Sequence, residues 1–427
     1  MKNVFIKVMI LSLMVNLISP FAISTVFAET GQPPIESPEV KHLSNQNEQP
    51  LNAEREYIPP KPEVIAATKA KVEAFDCNTV TDVPVSECEA LVALYESTNG
   101  AGWTNSENWL SSEPVAKWYG VLVNDATVRN IDLYDNNLVG LIPNEIGNLI
   151  GLNYLAFVSN QLTGSIPETI GNLQSLSVLY LSRNFLTGSL PPNFGALTNL
   201  EAINLSNNEL EGPLPQSIGN LKDLRFADFS FNEFTGKLPV EIGSLTQMVI
   251  LHLENNRFSG EIPREIRNLT NLAYLYLNNN QFSGNIPSEF TYMDLYELYL
   301  QWNDFSGTIP EELGYLDLDV LDISHNNLTG SVPASFEYSP SLRELNLSSN
   351  HLRGYLPIEI TTLVNLCTPE SDSSFCDQTP AYGLDISANH FFVPQREPVQ
   401  SFLDIKDPDW ADGQNFFRIY LPMTIKS

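Results

Sequence analysis

The residues best suited to ligand binding are aromatic and acidic side chains that recur every 23 or 24 residues between positions 226 and 302. Tyrosine and tryptophan rings anchor protein interfaces or stack on sugar rings, and adjacent carboxylates help them attract cations. The candidate ligand-binding residues are Phe226, Asp228, Phe231, His252, Glu254, Tyr274, Tyr276, Glu297, Tyr299 and Trp302. The alternative is that neighbouring rings merely cover one another along a β-sheet. Both interpretations require an element that repeats these positions in register.

Patterns typical of enzymes and metal sites are missing from the sequence. It contains no H-E-x-x-H, G-x-S-x-G or P-loop motif. The histidines are scattered and have no nucleophile pattern nearby, so we interpret them as surface residues: His42, His252, His325, His351 and His390. Acidic pairs such as Asp132 and Asp135 lack the dense carboxylate spacing of a calcium loop. The sequence therefore predicts no enzyme, no catalytic residue, no metal site and no cofactor.

The element that brings the candidate residues into register is the motif L-x-x-L-x-L-x-x-N-x-L-x-G-x-I-P. Its ten copies begin at Val128, Leu152, Leu176, Leu200, Leu224, Met248, Leu272, Leu295, Leu318 and Leu342. The Asn, Gly and Pro positions are filled in every copy, and a degenerate eleventh strand covers residues 384–389. Repetition at this period predicts a solenoid, in which stacked repeats share one core and the terminal repeats need caps.

Each motif position has a physical reason. The alternation in L-x-L points leucine inward and the intervening residue outward, as a β-strand requires. The Asn side chain carries a donor and an acceptor, and we expect it to satisfy turn backbone groups in the repeats on either side. Glycine permits backbone angles that other residues resist, and proline fixes φ where the second strand ends.

The motif resembles the plant-type leucine-rich repeats of receptor-kinase ectodomains and polygalacturonase-inhibiting proteins, over residues 128–365. The resemblance implies an α/β fold, a right-handed leucine-rich-repeat solenoid. It implies a concave parallel β-sheet, a second short sheet formed by the L-x-G-x-I-P strands, and a convex side of 3-10 turns and loops. A helical cap is expected at the N-terminal end.

The N-terminal flank, residues 89–110, resembles the caps of secreted bacterial and protist members of this family. Such caps commonly carry C-x-W-x-G-V-x-C, and the matching stretch here is residues 116–123. Trp118 and Gly120 remain while both cysteines are missing, which puts the usual cap disulfide in doubt. We expect a helix to start near Ser86 with a Ser86–Glu89 capping box. We expect three tryptophans, Trp103, Trp109 and Trp118, to plug the open end of the core.

The four cysteines flank the repeat array: Cys77, Cys88, Cys367 and Cys376. Ten stacked strands at ~4.8 Å separate the two ends by roughly 40 Å, and bridged Cα atoms lie within about 7 Å. Geometry therefore favours the local pairs Cys77–Cys88 and Cys367–Cys376, with free buried thiols as the alternative.

The chain divides by sequence into six segments. These are a signal peptide (1–28), a disordered linker (29–61), a helical N-terminal cap (62–127), ten repeats (128–365), a C-terminal cap with the degenerate repeat (366–391) and a tail (392–427). The signal-peptide prediction rests on Lys2, Lys7, an apolar run and a small-x-small cleavage site ending at Ala28. An uncleaved membrane anchor is the alternative for this segment.

The charge restricts the partners. A formal net charge of −29 repels nucleic acid and anionic membranes and favours a cationic or neutral partner. We expect a secreted or cell-surface recognition module, with no membrane span after signal removal, that binds an extracellular protein, peptide or polysaccharide on its concave or lateral face. The alternatives are a structural or adhesive surface protein and an inhibitor of secreted polysaccharide-degrading enzymes. The oligomeric state stays open.

Overall fold

The computed structural model describes residues 56–367, 383–392 and 397–406. The predicted signal peptide and most of the predicted linker and tail lie outside these residues. So does Cys376. None of the helices in the described ranges is long and apolar enough to cross a membrane.

The N-terminal end of the repeat array is covered by two helices, α1 (Pro62–Glu73) and α2 (Val85–Ser97). Short 3-10 helices follow at Cys77–Thr79, Gly100–Gly102 and Val115–Lys117. An antiparallel pair, β1 (Val121–Asn124) and β2 (Thr127–Asp132), joins this cap to the repeats. Pro62 suits the start of α1 because its missing N–H would have no partner there.

The predicted Ser86–Glu89 capping box is wrong. Pro84 occupies the N-cap position of α2 and no side chain caps the helix, so Ser86 lies inside the first turn. Proline at position 84 fixes an extended backbone and the helix begins directly after it. The acid in the first turn of α2 is Glu87. Its buried Oε2 accepts a hydrogen bond from the Val128 backbone N at 2.7 Å. Glu87 thereby ties the cap to the first repeat.

The repeats build two β-sheets, one on each side of the core. Among the described residues the first sheet has twelve strands, which run parallel apart from the β1–β2 pair. After β2 its strands are β4 (Tyr154–Ala156), β6 (Val178–Tyr180), β8 (Ala202–Asn204), β10 (Phe226–Asp228), β12 (Ile250–His252), β14 (Tyr274–Tyr276), β16 (Glu297–Tyr299), β18 (Val320–Asp322), β20 (Glu344–Asn346) and β22 (Leu384–Asp385). This sheet forms the concave face of the solenoid.

The second sheet has eleven short parallel strands in the described ranges. They are β3 (Val139–Leu141), β5 (Gln161–Gly164), β7 (Phe185–Gly188), β9 (Glu209–Gly212), β11 (Glu233–Gly236), β13 (Arg257–Gly260), β15 (Gln281–Asn285), β17 (Asp304–Thr308), β19 (Asn327–Gly330), β21 (His351–Gly354) and β23 (His390–Phe391). The motif glycine ends or nearly ends each of the first ten strands with a positive φ, as at Gly212 (+77°), which is strained for other residues.

The convex side consists of 3-10 helices that begin directly after the motif proline, or shortly after it at Phe194. They are Asn144–Asn148, Glu168–Asn172, Phe194–Ala196, Gln216–Asn220, Val240–Ser244, Arg264–Asn268, Ser288–Tyr292, Glu311–Tyr315, Ala334–Tyr338 and Ile358–Thr362. A C-terminal helix, α3 (Glu397–Lys406), contacts the last of these. The predicted leucine-rich-repeat solenoid is confirmed.

The core runs continuously from the cap to the last repeat. Trp109 and Trp118 are fully buried with their rings 5.0 Å apart, and Trp103 packs against Trp109 at 4.8 Å. These tryptophans plug the end of the core, as the sequence predicts. The Cys77–Cys88 disulfide of the cap is present. Cys367 is also disulfide-bonded, but its predicted pairing with Cys376 lies outside the described residues.

The motif asparagines form a ladder along the array. The Nδ2 of Asn208 donates to the carbonyls of Leu205 and Ser206 in its own turn, and to Leu181 in the preceding repeat. Its Oδ1 accepts from the N–H of Leu186, also in the preceding repeat. The ladder thus joins each turn to the repeat before it, rather than to the repeats on both sides.

Candidate functional site

The register of the concave sheet decides which side chains can meet a ligand. In each three-residue strand the middle residue, such as Leu275 of β14, points into the core, and the two flanking residues face outward. Parallel pairing places Phe226, Ile250 and Tyr274 in one outward row. Asp228, His252, Tyr276, Tyr299 and Asp322 follow one another in the second row.

Three rings of the second row form a continuous aromatic stack, consisting of His252, Tyr276 and Tyr299. The His252 and Tyr276 rings lie 4.2 Å apart and nearly parallel, and Tyr276 lies 5.0 Å from Tyr299. Phe226 extends the contacts at 6.4 Å from His252. Because the rings cover one another, Tyr276 and Tyr299 are only 8% and 5% exposed. This burial agrees with the alternative that the rings stabilise the sheet.

Carboxylates hold the edges of the aromatic stack. The Nδ1 of His252 lies 3.0 Å from Glu254 Oε1, and the Tyr276 hydroxyl donates to Glu297 Oε2 at 2.6 Å. Asp228 accepts hydrogen bonds from the backbone N and the hydroxyl of Ser230. Burial, the charge of Glu297 and its hydrogen bond raise the pKa of Tyr276 well above the usual tyrosine value. The phenol therefore stays protonated and remains a donor at any physiological pH.

His252 is held in its charged form by the surrounding acids. Burial alone would lower its pKa, but the charge and hydrogen bond of Glu254, with Asp228 and Glu297, raise it to about 9. The folded pKa exceeds the unfolded value, so the stabilisation is complete below about pH 6.5 and is lost as the pH rises through about 9. The stack thus carries one positive charge within an acidic surface at neutral pH.

We predict that the His252 ring titrates near pH 9, and that Glu254→Gln lowers this pKa by more than one unit because it removes the nearest charge. NMR titration of the histidine ring protons measures both values. His351, whose ring is far from Glu254 in sequence and stacks on His390, provides the internal control. A His252 pKa near 6.5 in the unmodified protein would contradict this account of the stack.

A second group of aromatic residues lies just beyond the strands, at turn positions with left-handed backbone. Asn207, Asn255 and Asn279 occupy this position in three repeats, with φ near 55°. Phe231, Trp302 and His325 adopt the same conformation, with φ of 51°, 58° and 50°. Asparagine tolerates this region well, whereas bulky residues there are unusual, and such outliers cluster at functional sites.

Trp302 is the most accessible of the candidate residues. Its side chain is 54% exposed and stacks on His325, with ring centroids 3.7 Å apart and nearly parallel. Burial lowers the pKa of His325, and the charge of Asp385 partly opposes this. The covering alternative does not account for Trp302, because more than half of its surface remains in water. A preformed, exposed indole supported from one side is suited to contact a partner.

Two acids in the same rows, Asp322 of β18 and Glu344 of β20, are not among the predicted ligand-binding residues. Both are 7% exposed. Burial, partly opposed by hydrogen bonds from Ser324 and Asn346, raises the pKa of Asp322 to about 6. Burial and the charges of Asp322 and Glu297 raise the pKa of Glu344 to about 8. The repeat register would have placed both residues in the outward rows, but their sequence context gives no sign of burial.

The structure brings only part of the predicted set together. His252, Glu254, Tyr276, Glu297 and Tyr299 form one contact network. Phe226, Asp228 and Tyr274 lie at its margin, and Tyr274 packs against the cluster of Tyr276, Tyr299 and Val320. Phe231 and Trp302 occupy turns several repeats apart. No group of three or more potential metal-binding side chains occurs among the described residues. The ligand-binding assignment stays a prediction.

Comparison with known families identifies the class of protein. Leucine-rich-repeat families match residues 310–352, and also 127–149, 175–197, 199–221, 247–269, 271–293 and 294–316. No curated protein sequence matches significantly. The solved structures that resemble the chain include plant receptors of the same repeat type. The matches and the two parallel sheets together define a leucine-rich-repeat solenoid that resembles plant receptor ectodomains.

Three structural neighbours illustrate the similarity. The plant peptide hormone receptor RGFR1, in complex with RGF2, is 33% identical over 59% of this chain and 38% of its own, with a TM-score of 0.54. The PEPR1–AtPEP1 structure is 28% identical over 72% and 46%, with a TM-score of 0.59. The Arabidopsis receptor kinase HAESA, in complex with the peptide hormone IDA and the co-receptor SERK1, is 27% identical over 77% and 58%, with a TM-score of 0.53. The chain thus spans less than half the length of the first two.

Proposed function

We propose that this protein is an extracellular recognition module that binds a peptide, or an extended segment of a protein, on its concave sheet. The observation that carries the proposal is the exposed Trp302 beside the aromatic stack of His252, Tyr276 and Tyr299. The stack is a rigid, preformed wall, and the indole next to it is free to make contact. Preformed surfaces bind with little ordering cost.

Two further considerations support a peptide ligand. Among the structural neighbours, RGFR1 is a plant peptide hormone receptor, and HAESA was solved in complex with the peptide hormone IDA. The outward rows also mix ring faces with carboxylates and polar side chains, which suits the mixed chemistry of a peptide. Polysaccharide binding and an adhesive role are alternatives that the binding experiment separates, and inhibition of polysaccharide-degrading enzymes is a third alternative.

The test is a binding screen of the full-length protein against peptide and polysaccharide arrays, followed by calorimetry on the strongest hit. Trp302→Ala is expected to weaken binding about tenfold or more, because central aromatic anchors carry most of the affinity of an interface. Tyr315→Ala is the matched control, because Tyr315 is 58% exposed on the convex side. We prefer Trp302 to Tyr276 for this test because truncation of a buried ring risks unfolding.

Equal effects of Trp302→Ala and Tyr315→Ala on the binding affinity would contradict a concave binding site. A hit confined to polysaccharides would overturn the peptide assignment. Concentration-dependent self-association without any array hit would favour the adhesive alternative.

A further inference from the structure

Some buried hydrogen-bond acceptors on the outward face between β12 and β20 have no donor. Among the described residues of this stretch, two buried side-chain atoms have no hydrogen-bond partner, and both are oxygens: Glu254 Oε2 and Gln301 Oε1. Glu344, only 7% exposed, also makes no side-chain hydrogen bond within the described residues, but its oxygens are not fully buried. A buried acceptor without a donor costs free energy. A ligand rich in donors would recover this free energy.

The C-terminal part of this face concentrates the acceptors in a carboxylate pair. Asp322 and Glu344 lie on adjacent strands, and Val320 lies opposite Glu344 in the register. Ser324 N and Asn346 Nδ2 bond Asp322 at 2.9 and 3.2 Å and hold its carboxylate in place. Four charged residues lie on the surrounding strands or directly before them: Glu297, Asp319, Arg343 and Asp385. The balance is acidic, so an added cation is favoured.

The chemistry next to the pair favours a guanidinium group. Tyr299, the last ring of the aromatic stack, pairs in register with Asp322 and so places an aromatic ring beside the carboxylates. A guanidinium is planar, carries five N–H donors and stacks on aromatic rings while bonding carboxylates in a bidentate manner. A lysine ammonium offers three donors on a point charge and stacks less well.

We infer that Asp322 and Glu344 form a subsite for the guanidinium group of an arginine side chain in the bound peptide. The inference rests on the proposed peptide-binding function and adds the identity of one ligand residue. The guanidinium would bridge the two carboxylates and lie against Tyr299. Neutral arginine analogues would be rejected, because they leave the carboxylate pair without a counter-charge.

The test uses tetra-arginine amide as the probe and tetra-citrulline amide as its uncharged analogue, in calorimetry with the full-length protein at 0.15 M salt. We expect binding of the arginine probe and at least a tenfold loss with the citrulline probe. Glu344→Gln should weaken the arginine probe about tenfold. Glu201→Gln makes the same substitution at an exposed site several repeats away and should leave the affinity unchanged, which controls for general attraction to the acidic chain.

Proton release gives a second readout that general attraction would not produce. At pH 7 the Glu344 carboxyl is mostly protonated, since its folded pKa is about 8. A bound cation lowers that pKa, so binding should release close to one proton. Calorimetry in two buffers of different ionisation enthalpy measures this release, and it should vanish in Glu344→Gln.

Three results would overturn the inference: no binding of tetra-arginine, equal affinities of Glu344→Gln and Glu201→Gln, or binding without proton release. Failure of the proposed peptide-binding function would give a different set of results. In that case Glu344→Gln still weakens the arginine probe while Trp302→Ala has no effect on any array hit.

Discussion

Replacement of Asn208 by alanine is expected to lower the free energy of unfolding by about 4 kcal/mol, because it leaves several buried backbone groups without partners. The side chain is buried and donates to the carbonyls of Leu181, Leu205 and Ser206. It also accepts from the Leu186 N–H at 3.0 Å, and that buried donor has no substitute acceptor in the strand register. Urea unfolding followed by circular dichroism measures the loss.

Asn220→Ala is the matched control for the ladder. Asn220 is exposed at the end of a convex 3-10 helix, and its side chain makes no hydrogen bond among the described residues. Its substitution should change stability by less than about 1 kcal/mol. Similar losses in the two variants would mean that the ladder contributes no more than an ordinary surface asparagine.

Glu344→Gln is expected to stabilise the protein at alkaline pH, by an amount on the order of 4 kcal/mol at pH 9. The folded pKa of Glu344, about 8, lies above its unfolded value, so the folded state retains a proton that the unfolded state has lost. Stability therefore falls as the pH rises from about 4.5 to about 8, and above that pH the loss of stability has reached its full size. Glutamine does not ionise and escapes this loss.

The measurement is urea unfolding of both proteins at pH 4.5 and pH 9. The variant should gain little at the lower pH and most of its advantage at the higher one. The loss of His252 charge near pH 9 affects both proteins and largely cancels in the difference. Glu311→Gln, an exposed acid on the convex side, should show no such gain. A pH-independent difference would mean that Glu344 is not a buried, charge-repelled carboxyl.

Much of the fold could be predicted because each motif position carries the residue type that the local backbone conformation or packing requires. The alternation around Leu275 fixes the strand faces, and the invariant asparagines and glycines fix the turns. The capping box at Ser86 failed because Pro84, two residues earlier, fits the N-cap position without a side-chain bond. A local sequence pattern thus predicts the type of secondary-structure element well. It predicts the residue and the contacts at which the element begins less well.

The candidate site could be predicted only in part. The register placed Tyr276 and Tyr299 on the outward face, but exposure depends on neighbours one repeat away, and stacking buries both rings. The same stacking leaves Trp302 accessible, since its turn position lies beyond the strands. Asp322 and Glu344 are absent from the predicted site because an isolated acid in a sequence suggests a solvated position, whereas their burial arises from packing between adjacent strands.

The most direct test of concave binding is hydroxyl-radical footprinting of the full-length protein, with and without its strongest array ligand. Four of the exposed aromatic residues report on opposite faces: Trp302 beside the concave sheet, and Tyr292, Tyr315 and Tyr338 on the convex 3-10 helices. We predict that the ligand slows oxidation of Trp302 several-fold and leaves the three tyrosines unchanged. Protection of the tyrosines with Trp302 unaffected would contradict a concave site and favour an adhesive convex surface.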